Sequence, residues 1–409
     1  MIIFVYLDTE KSIEVSISME RTELMSARMP ILCESEIPEF LFNAYGINVT
    51  KVEKIDKGFM SNAYKASTGS TSYFFKEPFH MPSDVLGEGE AELLDFLKSR
   101  SLPVANLIKT TDGTHYAENG GRLLSLQEFV EGEVYKSKTV PDTLLLPSFE
   151  VLGKIDGSLV DYKLPVRQKW TARYCEDYSE EEIVQELKDF LIEAETLNLC
   201  DEELRRVRRG LKFAIRIQPL MKEWATAFHW VTHSSTHGDY HVGNLIYDDR
   251  DVVAVIDWTN SSTIPVIYNI MYLYIMFGKE RRKIKSIDTS ELFACMQEYA
   301  KHAPLSYYDY KFAPYVFAHI LGRETIPVRA HRYFFHTRNG NSVVAQKRLR
   351  SMLRSNKMCR FLIEDADTIS KQLEEHYEAS LTGYELWKHK KEKRKVKRLL
   401  ANSPFCNWT

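Results

Sequence analysis

The sequence predicts an α+β fold, in which a five-stranded antiparallel sheet with one helix precedes a mostly helical region. Short β-rich segments alternate with turn residues between residues 52 and 130. Apolar residues then recur with helical spacing along most of the remaining chain. The 409 residues exceed what one hydrophobic core usually organises, so we expect two lobes and a cleft that a ligand can enter.

The first lobe is expected over residues 31–130, after an N-terminal extension over residues 1–30 that shows no clear periodicity. Its strands are β-rich segments bounded by turn residues, and its helix carries apolar residues on one side. In chain order, the predicted elements are strands 52–55, 63–66 and 73–76, helix Glu88–Ser99, and strands 107–110 and 123–130.

A mostly helical second lobe is expected over residues 131–409, with one hairpin in it. The predicted hairpin strands are Leu245–Tyr247 and 252–256, because the residues between them have the composition of a turn. The longest apolar run, residues 264–278, has 15 residues and includes an asparagine, so it is too short for a membrane span. It is therefore predicted to be a buried helix.

The composition is that of an ordinary globular protein, with 44% hydrophobic and 27% charged residues. Six cysteines are widely scattered, without a CxxC pair or a zinc-type histidine spacing, so free thiols are expected. The apolar N-terminus lacks a basic segment and meets Asp8 at once, which is untypical of a signal peptide. These features predict a cytoplasmic protein.

Charge is unevenly distributed along the chain. From Ser261 onward, 26 Lys and Arg residues oppose 14 Asp and Glu residues, whereas residues 176–203 contain twelve carboxylates and one lysine. Three interpretations of the acidic stretch are open. It borders a ligand site and favours a cationic ligand, or it pairs with the basic tail, or it is the solvated face of a half-buried helix. The basic run at residues 388–398 is interpreted as a solvated helix or tail, not a nucleic-acid surface.

The most informative segment is residues 235–258, which contains His237, Asp239, Asn244 and Asp257 around the predicted hairpin. Phosphoryl transfer needs a carboxylate that orients the acceptor hydroxyl and oxygen ligands for magnesium. Asp239 suits the first role. Asn244 follows Asp239 by five residues, as in the catalytic loop of protein kinases, and Asp257 ends the next strand, so both suit the second role.

Two histidines, His237 and His241, flank Asp239. A histidine beside a catalytic aspartate more often holds the loop by hydrogen bonds than transfers protons, so both are predicted to support the loop. The residue identities, their spacing and the hairpin are together far more specific than any one of them.

The segment HGDYHVGN, followed by a strand that ends in VIDW, resembles the signature of a phosphotransferase superfamily. This superfamily includes aminoglycoside phosphotransferases, choline kinases, homoserine-type kinases and spore-coat kinase-like proteins. The resemblance extends over roughly residues 49–278 and implies a bilobal, protein-kinase-like fold. It implies that Asp239 is the catalytic base and that Asn244 and Asp257 bind Mg²⁺. One departure is Asn269, where relatives often carry an acidic residue.

The resemblance also implies a nucleotide site in the first lobe. Lys76 matches the lysine that contacts the phosphates, and Glu90 matches its ion-pair partner, although Glu88 and Glu92 lie close by. Ser61 matches the short loop that covers the phosphates. The hinge, whose backbone groups would pair with the base of ATP or GTP, is expected at Gln127, Glu128 and Val130.

The expected function is transfer of the γ-phosphate of ATP or GTP to a hydroxyl group of a small antibiotic-like molecule or metabolite. The alternative is a non-catalytic binding or spore-coat-like protein with the same fold, whose usual mark is loss of the base or of a metal ligand. All of these positions are filled in this sequence, which favours catalysis. Neither a membrane nor a nucleic acid is an expected partner.

Overall fold

The structure is a computed structural model. Residues 1–29 of the predicted extension and residues 176–178 of the acidic stretch lie outside the residues that it describes. The described residues are 30–55, 61–78, 88–164 and 179–400.

By their contacts, the described residues form two compact units, and the chain passes between these units more than once. The hairpin that follows the HGD segment belongs to the first unit, although most of the chain around it belongs to the second. The first unit contains the described residues up to 134, Leu164 and residues 244–260, and the second contains residues 135–163, 179–243 and 261–400.

An antiparallel five-stranded sheet forms most of the first unit, as predicted. Its strands are β1 (Lys51–Lys54), β2 (Ser61–Ser67), β3 (Ser72–Pro78), β4 (Tyr116–Asn119) and β5 (Arg122–Glu128). The strand order is β1-β2-β3-β5-β4, so β3 lies at the centre. This order places Lys76 opposite Ala63 on one side and Ser125 on the other.

Two described helices belong to the first unit, α1 (Ile37–Tyr45) and α2 (Glu88–Ser99). Helix α2 has the predicted position, and it buries the apolar side chains that were expected to share one side of it. The first was not predicted. Its buried residues Ile37, Leu41 and Tyr45 lie four positions apart, so they share one face, and they join the core of the sheet.

The strand predicted at residues 107–110 is wrong. Only Leu107 forms a bridge, to Gln127 of β5, and the strand that pairs with the rest of this edge is β4. The backbone N–H of Thr110 donates to the carbonyl of Thr114 at 2.8 Å, so the chain turns soon after the bridge. Two short segments therefore share one edge of β5, and residue preferences alone do not distinguish them.

Helices form most of the second unit, as predicted. They are α3 (Leu145–Ser158), α4 (Glu180–Thr196), α5 (Asp201–Arg216), α6 (Gln218–Trp224), α7 (Val266–Met276), α8 (Thr289–Ala300), α9 (Tyr307–Ile320), α10 (Ile326–Arg338), α11 (Ser342–Ser380) and α12 (Gly383–Leu400). The 39-residue helix α11 packs against α8, α9 and α10.

The long apolar run divides into two elements. Strand β9 (Ser262–Pro265) pairs with β6 (His233–Thr236), and the buried helix α7 begins directly after Pro265. Across the described ranges, no helix combines the length and apolarity needed to cross a membrane. The described cysteines are free thiols, as predicted, at Cys33, Cys200, Cys295 and Cys359.

The predicted hairpin is present as β7 (Leu245–Tyr247) and β8 (Val252–Val255). Its second strand is attached to the first unit by a hydrogen bond from the Val255 N–H to the carbonyl of Pro103, at 2.7 Å. Its first strand is attached by two hydrogen bonds of 2.8 and 2.9 Å between Tyr247 and Glu133. The hairpin is therefore fixed to the first unit through both strands.

Gly132 makes the second of these attachments possible. A Cβ atom at this position would lie 2.6 Å from the carbonyl oxygen of Tyr247 and 2.6 Å from the side chain of Ile246. Its φ of 150° is also a conformation that other residues rarely adopt. Only glycine allows the backbone to approach the hairpin this closely.

Candidate active site

Three charged groups of the first unit, Lys76, Glu90 and Asp257, form what we call the lysine cluster. The Lys76 ammonium on β3 lies 3.5 Å from the Asp257 carboxylate, and Glu90 on α2 also acts electrostatically on this lysine. Burial lowers the pKa of Lys76, but the two carboxylates outweigh burial, so the pKa lies above its usual value. The lysine is therefore held in its cationic form.

Glu90, rather than Glu92, interacts with Lys76. Its carboxylate accepts a hydrogen bond from the Tyr116 hydroxyl at 3.1 Å, whereas Glu92 is exposed. Burial raises the pKa of Glu90, while the charge of Lys76 acts in the opposite direction. The helix α2 thus directs one specific carboxylate toward the central strand of the sheet.

Asn244 and Asp257 lie at the same end of the hairpin, since one precedes β7 and the other follows β8. A backbone hydrogen bond of 3.0 Å from the Ile256 N–H to the Asn244 carbonyl closes this end. Asp257 has a φ of 65°, a left-handed conformation that is costly for a residue with a side chain. The Thr259 hydroxyl donates to its carboxylate at 3.1 Å. Backbone and side chain of Asp257 are therefore both held in a defined direction.

This pair of residues fits a magnesium ion. Carboxylate and amide oxygens are donors that Mg²⁺ accepts, and this ion typically uses one or two carboxylates while phosphates and water complete its shell. Within the described ranges, no group of three or more His, Cys, Asp or Glu side chains is arranged to hold a metal. The donor set at Asn244 and Asp257 therefore suits a metal that binds together with nucleotide phosphates.

The predicted hinge is partly engaged within the sheet. Gln127 pairs with Phe74 of β3. The backbone N–H of Glu128 donates to the carbonyl of Asn106 at 2.9 Å, and its carboxylate accepts a hydrogen bond from the Lys98 ammonium at 2.8 Å. The Glu128 side chain therefore has a structural role.

Beyond β5, the Phe129 N–H donates to the carbonyl of Ser72 at 3.3 Å. Val130 follows, and its backbone makes no hydrogen bond with another described residue. The predicted pairing of Val130 with a nucleotide base stays a prediction.

Ser61 is the first residue of β2 and is partly buried. The loop predicted to cover the phosphates consists of residues 58–62, and its residues 58–60 lie outside the described residues. The predicted phosphate contact of Ser61 stays a prediction.

The HGD segment forms a tight loop after β6 in the second unit. His237 is fully buried, and its Nδ1 accepts a hydrogen bond from the Asp239 N–H at 3.3 Å across Gly238, whose φ is 76°. The Nδ1 of His241 accepts a hydrogen bond from the Gly243 N–H at 2.9 Å, so its Nε2 carries the proton. That Nε2 lies 3.6 Å from the Asp239 carboxylate. Both histidines therefore help to position Asp239.

A buried network supports this loop, and no local sequence pattern predicts it. The Thr236 hydroxyl donates to Asp156 of α3 at 2.6 Å, and the Asn269 amide donates to Thr236 at 2.8 Å. The Tyr299 hydroxyl donates to the other oxygen of Asp156 at 2.9 Å. Burial raises the pKa of Asp156 to about 7, although these hydrogen bonds lower it. Asp156 thus supplies a carboxylate to the network in which Asn269 replaces the usual acidic residue.

A strand lysine between two carboxylates, a hairpin that ends in aspartate and an HGD loop are features of a kinase-like phosphotransferase. The model of the phosphotransferase enzyme family matches residues 51–304, which is more than half of the chain. The chain therefore belongs to this family of small-molecule phosphotransferases. A search of the curated proteins found no match.

Solved structures of antibiotic phosphotransferases share the fold. Spectinomycin phosphotransferase, in complex with ADP and spectinomycin, has a TM-score of 0.57 at 14% identity, over 82% of this chain and 99% of that chain. An aminoglycoside phosphotransferase from Alicyclobacillus acidocaldarius has a TM-score of 0.56 at 13% identity, over 85% and 98%. Amicoumacin kinase, in complex with AMP-PNP and Ca²⁺, has a TM-score of 0.52 at 14% identity, over 84% and 96%. The predicted fold class is confirmed.

Proposed function

We propose that this phosphotransferase moves the γ-phosphate of ATP or GTP to a hydroxyl group of a small molecule in a magnesium-dependent reaction. The lysine cluster carries the proposal, because Lys76 is held cationic between Glu90 and Asp257, and Asp257 shares a hairpin end with Asn244. Asp239 precedes Asn244 by five residues, so one short segment supplies the proposed base and the first proposed metal ligand.

Asn244 and Asp257 would hold the magnesium ion. When it is bound, the ion neutralises negative charge on the nucleotide phosphates. The Lys76 ammonium would contact phosphate oxygens through charge-assisted hydrogen bonds, and its raised pKa keeps the proton in place for these bonds. Glu90 would act as a positioning residue for Lys76. Val130 would pair with the base through its backbone.

Asp239 would orient the acceptor hydroxyl and accept its proton. The acceptor oxygen forms a bond to the γ-phosphorus, while the bond from that phosphorus to the oxygen of the β-phosphate breaks. The hydroxyl proton passes to the Asp239 carboxylate, and a nucleoside diphosphate leaves. His241, with its Nε2 proton 3.6 Å from this carboxylate, keeps Asp239 in position.

We expect the acceptor to be a hydroxylated antibiotic-like molecule or metabolite in the cytoplasm. Spectinomycin is bound in one of the structures with the same fold, and another is an amicoumacin kinase. At identities near 14%, these names suggest a range of acceptor chemistry rather than one compound.

A nucleotide-consumption screen tests this function. Purified protein is incubated with Mg²⁺ and either ATP or GTP, together with aminoglycosides, macrolides, choline analogues, hydroxy amino acids, sugars and their phosphorylated or oxidised forms. We expect at least one acceptor to stimulate nucleotide consumption, and Asp239→Asn to lose most of that stimulation. A protein that binds no Mg²⁺–nucleotide and phosphorylates none of these compounds would instead be the non-catalytic binding protein.

A further inference from the structure

Four arginines of the second unit lie on two packed helices, and we call them the arginine cluster. They are Arg329 and Arg332 on α10, and Arg348 and Arg354 on α11. Arg329 and Arg332 are three positions apart and share a helix face, whereas Arg348 and Arg354 are six positions apart on α11. The two helices pack along each other, and the charge of Arg348 acts on Arg332.

Contacts across the two helices fix this arrangement. The guanidinium Nη1 of Arg329 donates to the backbone carbonyl of Ser351 at 3.2 Å and also contacts the hydroxyl of Ser355. Ser351 lies three positions from both Arg348 and Arg354 on α11. Arg329 is thus docked on the part of α11 that carries the other two arginines.

A series of side-chain contacts connects this cluster to Asp239. The ring of His241, whose Nε2 is 3.6 Å from the Asp239 carboxylate, packs edge-on against Tyr272 of α7 with 5.8 Å between ring centroids. Met276 lies one helical turn beyond Tyr272, and its sulfur is 3.5 Å from the Arg354 guanidinium. A further arginine, Arg282, reaches the same sulfur at 3.7 Å.

Electrostatic interactions connect the same groups. Burial and the charge of Asp239 together raise the pKa of Tyr272 to about 12, whereas Arg329 and Arg354 act in the opposite direction. Burial also lowers the pKa of Arg332, as do the charges of Arg348 and Arg329, whereas Asp239 and Glu324 act in the opposite direction. Asp239 therefore lies within the electrostatic range of the cluster.

Three arginines of the cluster have no ion-pair partner among the described residues. Within the described part of the chain, Arg329, Arg332 and Arg354 form no ion pair with a carboxylate. Asp239 and Glu324 act on Arg332 electrostatically, without an ion pair to it. Partly buried like charges repel each other, and an unpaired buried charge is costly. A negatively charged molecule that binds to the arginine cluster would offset this repulsion.

Three carboxylates of the acidic stretch form ion pairs elsewhere in the second unit. They are Glu180 with Lys222, Glu193 with Arg338 and Glu195 with Arg208. The basic run on α12 pairs with other acids, since the Lys393 ammonium contacts Glu374 and Glu378 of α11. These three carboxylates of the acidic stretch are therefore engaged by basic residues of the chain itself, not by a cationic acceptor.

We propose that the acceptor is an anion, namely a small hydroxylated molecule whose phosphate or carboxylate group binds the arginine cluster while its hydroxyl group faces Asp239. Guanidinium groups recognise both anions through paired N–H donors, so the two share one chemistry. The stacked rings of Tyr268 and Tyr272, 5.7 Å apart, would offer an apolar surface to the carbon skeleton. This inference rests on the proposed phosphotransferase function for the identity of the reaction, but its anion site can be tested alone.

The first test measures the binding of inorganic phosphate by calorimetry and by thermal unfolding, at constant ionic strength and with saturating Mg²⁺–ADP in the nucleotide site. The wild-type protein is compared with Arg332→Gln and Arg354→Gln. Arg350→Gln is the matched control, because Arg350 lies on α11 between two cluster members and is exposed. Circular dichroism verifies folding, and Arg332→Lys provides a variant that keeps the charge.

We expect saturable phosphate binding that weakens about tenfold or more in each cluster variant, since one charge-assisted hydrogen bond contributes roughly 1.5–3 kcal/mol. The control variant should bind like the wild type, and Arg332→Lys should retain part of the affinity. A wild-type protein without saturable binding would overturn the proposal. Equal binding by the wild type, Arg332→Gln and Arg354→Gln would overturn it as well.

The second test compares matched acceptors on one carbon skeleton: a neutral polyol, the corresponding hydroxy acid and the corresponding monophosphate. We expect an anionic member to be the better acceptor or the stronger inhibitor, and the preferred anion distinguishes carboxylate from phosphate. Preference for the neutral or a cationic compound contradicts the inference but leaves the proposed function intact. If Mg²⁺–nucleotide binding fails while anion binding is normal, the proposed function is contradicted and the anion site is supported.

Discussion

The lysine cluster of the first unit and the arginine cluster of the second differ in charge balance. In the lysine cluster, one cation faces two carboxylates, Glu90 and Asp257, so the group has a net charge of about −1. In the arginine cluster, Arg329, Arg332 and Arg354 form no ion pair with a carboxylate of a described residue. The difference indicates ligands of opposite charge, because a binding site tends to carry a charge opposite in sign to that of its ligand. The first site suits a metal cation, and the second suits an anion.

The largest effect is expected from Asp239→Asn. Turnover should fall by roughly two to four decades, the usual range for a lost general base, while Mg²⁺–nucleotide binding should stay near normal. Loss of the carboxylate also removes a negative charge near Arg332, so phosphate should bind more tightly. Acceptor kinetics together with phosphate titration measure both effects. Near-normal turnover would exclude Asp239 from the mechanism, and weaker phosphate binding would contradict the charge balance of the arginine cluster.

A smaller effect is expected from Lys76→Ala. The KM for the nucleotide should rise about tenfold or more, because a charge-assisted contact to the phosphates is lost. The KM for the acceptor should change much less, since the arginine cluster is untouched. Steady-state kinetics with each substrate varied in turn separates the two parameters. A larger change for the acceptor would place Lys76 in the acceptor site and remove the distinction between the clusters.

The smallest effect concerns stability and pH. The pKa of Asp156 is raised from its ordinary value near 4 to about 7 by burial, so its contribution to stability is full below pH 4 and is lost as the pH rises through 7. Asp156→Asn should remove this dependence. Urea unfolding at pH 5 and pH 8 should show a difference in the free energy of unfolding that is ~2–3 kcal/mol smaller in the variant. An identical difference in both proteins would mean that Asp156 is already ionised at pH 5.

The residues of the lysine cluster and the HGD loop could be predicted because their chemistry is written in short motifs. A hairpin between Asn244 and Asp257 necessarily returns the chain to the same end, so spacing alone indicated their proximity. The sheet could also be predicted from local sequence, since β-rich segments bounded by turn residues identify strands. The fourth strand was misplaced because Leu107 and β4 compete for one edge, and both segments are short.

Other features depend on contacts between distant parts of the chain. Asp156 precedes its partner Thr236 by 80 residues, and no local motif marks it. The arginines of α10 and α11 resemble ordinary surface charges until the two helices are packed together. The short helix α1 has only nine residues, too few for a clear periodic pattern. Local sequence therefore identifies the phosphate chemistry more readily than the acceptor chemistry.

The separation of roles between the two clusters can be tested most directly by a crossed calorimetric titration of Asp257→Ala and Arg332→Gln. Each variant is titrated with the nucleotide in the presence and absence of Mg²⁺, and then with inorganic phosphate. We predict that Asp257→Ala loses Mg²⁺-dependent nucleotide affinity but keeps phosphate binding, because the proposed metal site loses its anionic ligand. We predict that Arg332→Gln loses phosphate binding but keeps Mg²⁺-dependent nucleotide affinity. Unchanged Mg²⁺ dependence in Asp257→Ala, or loss of both ligands in both variants, would contradict the assignment of the metal and the acceptor anion to different clusters.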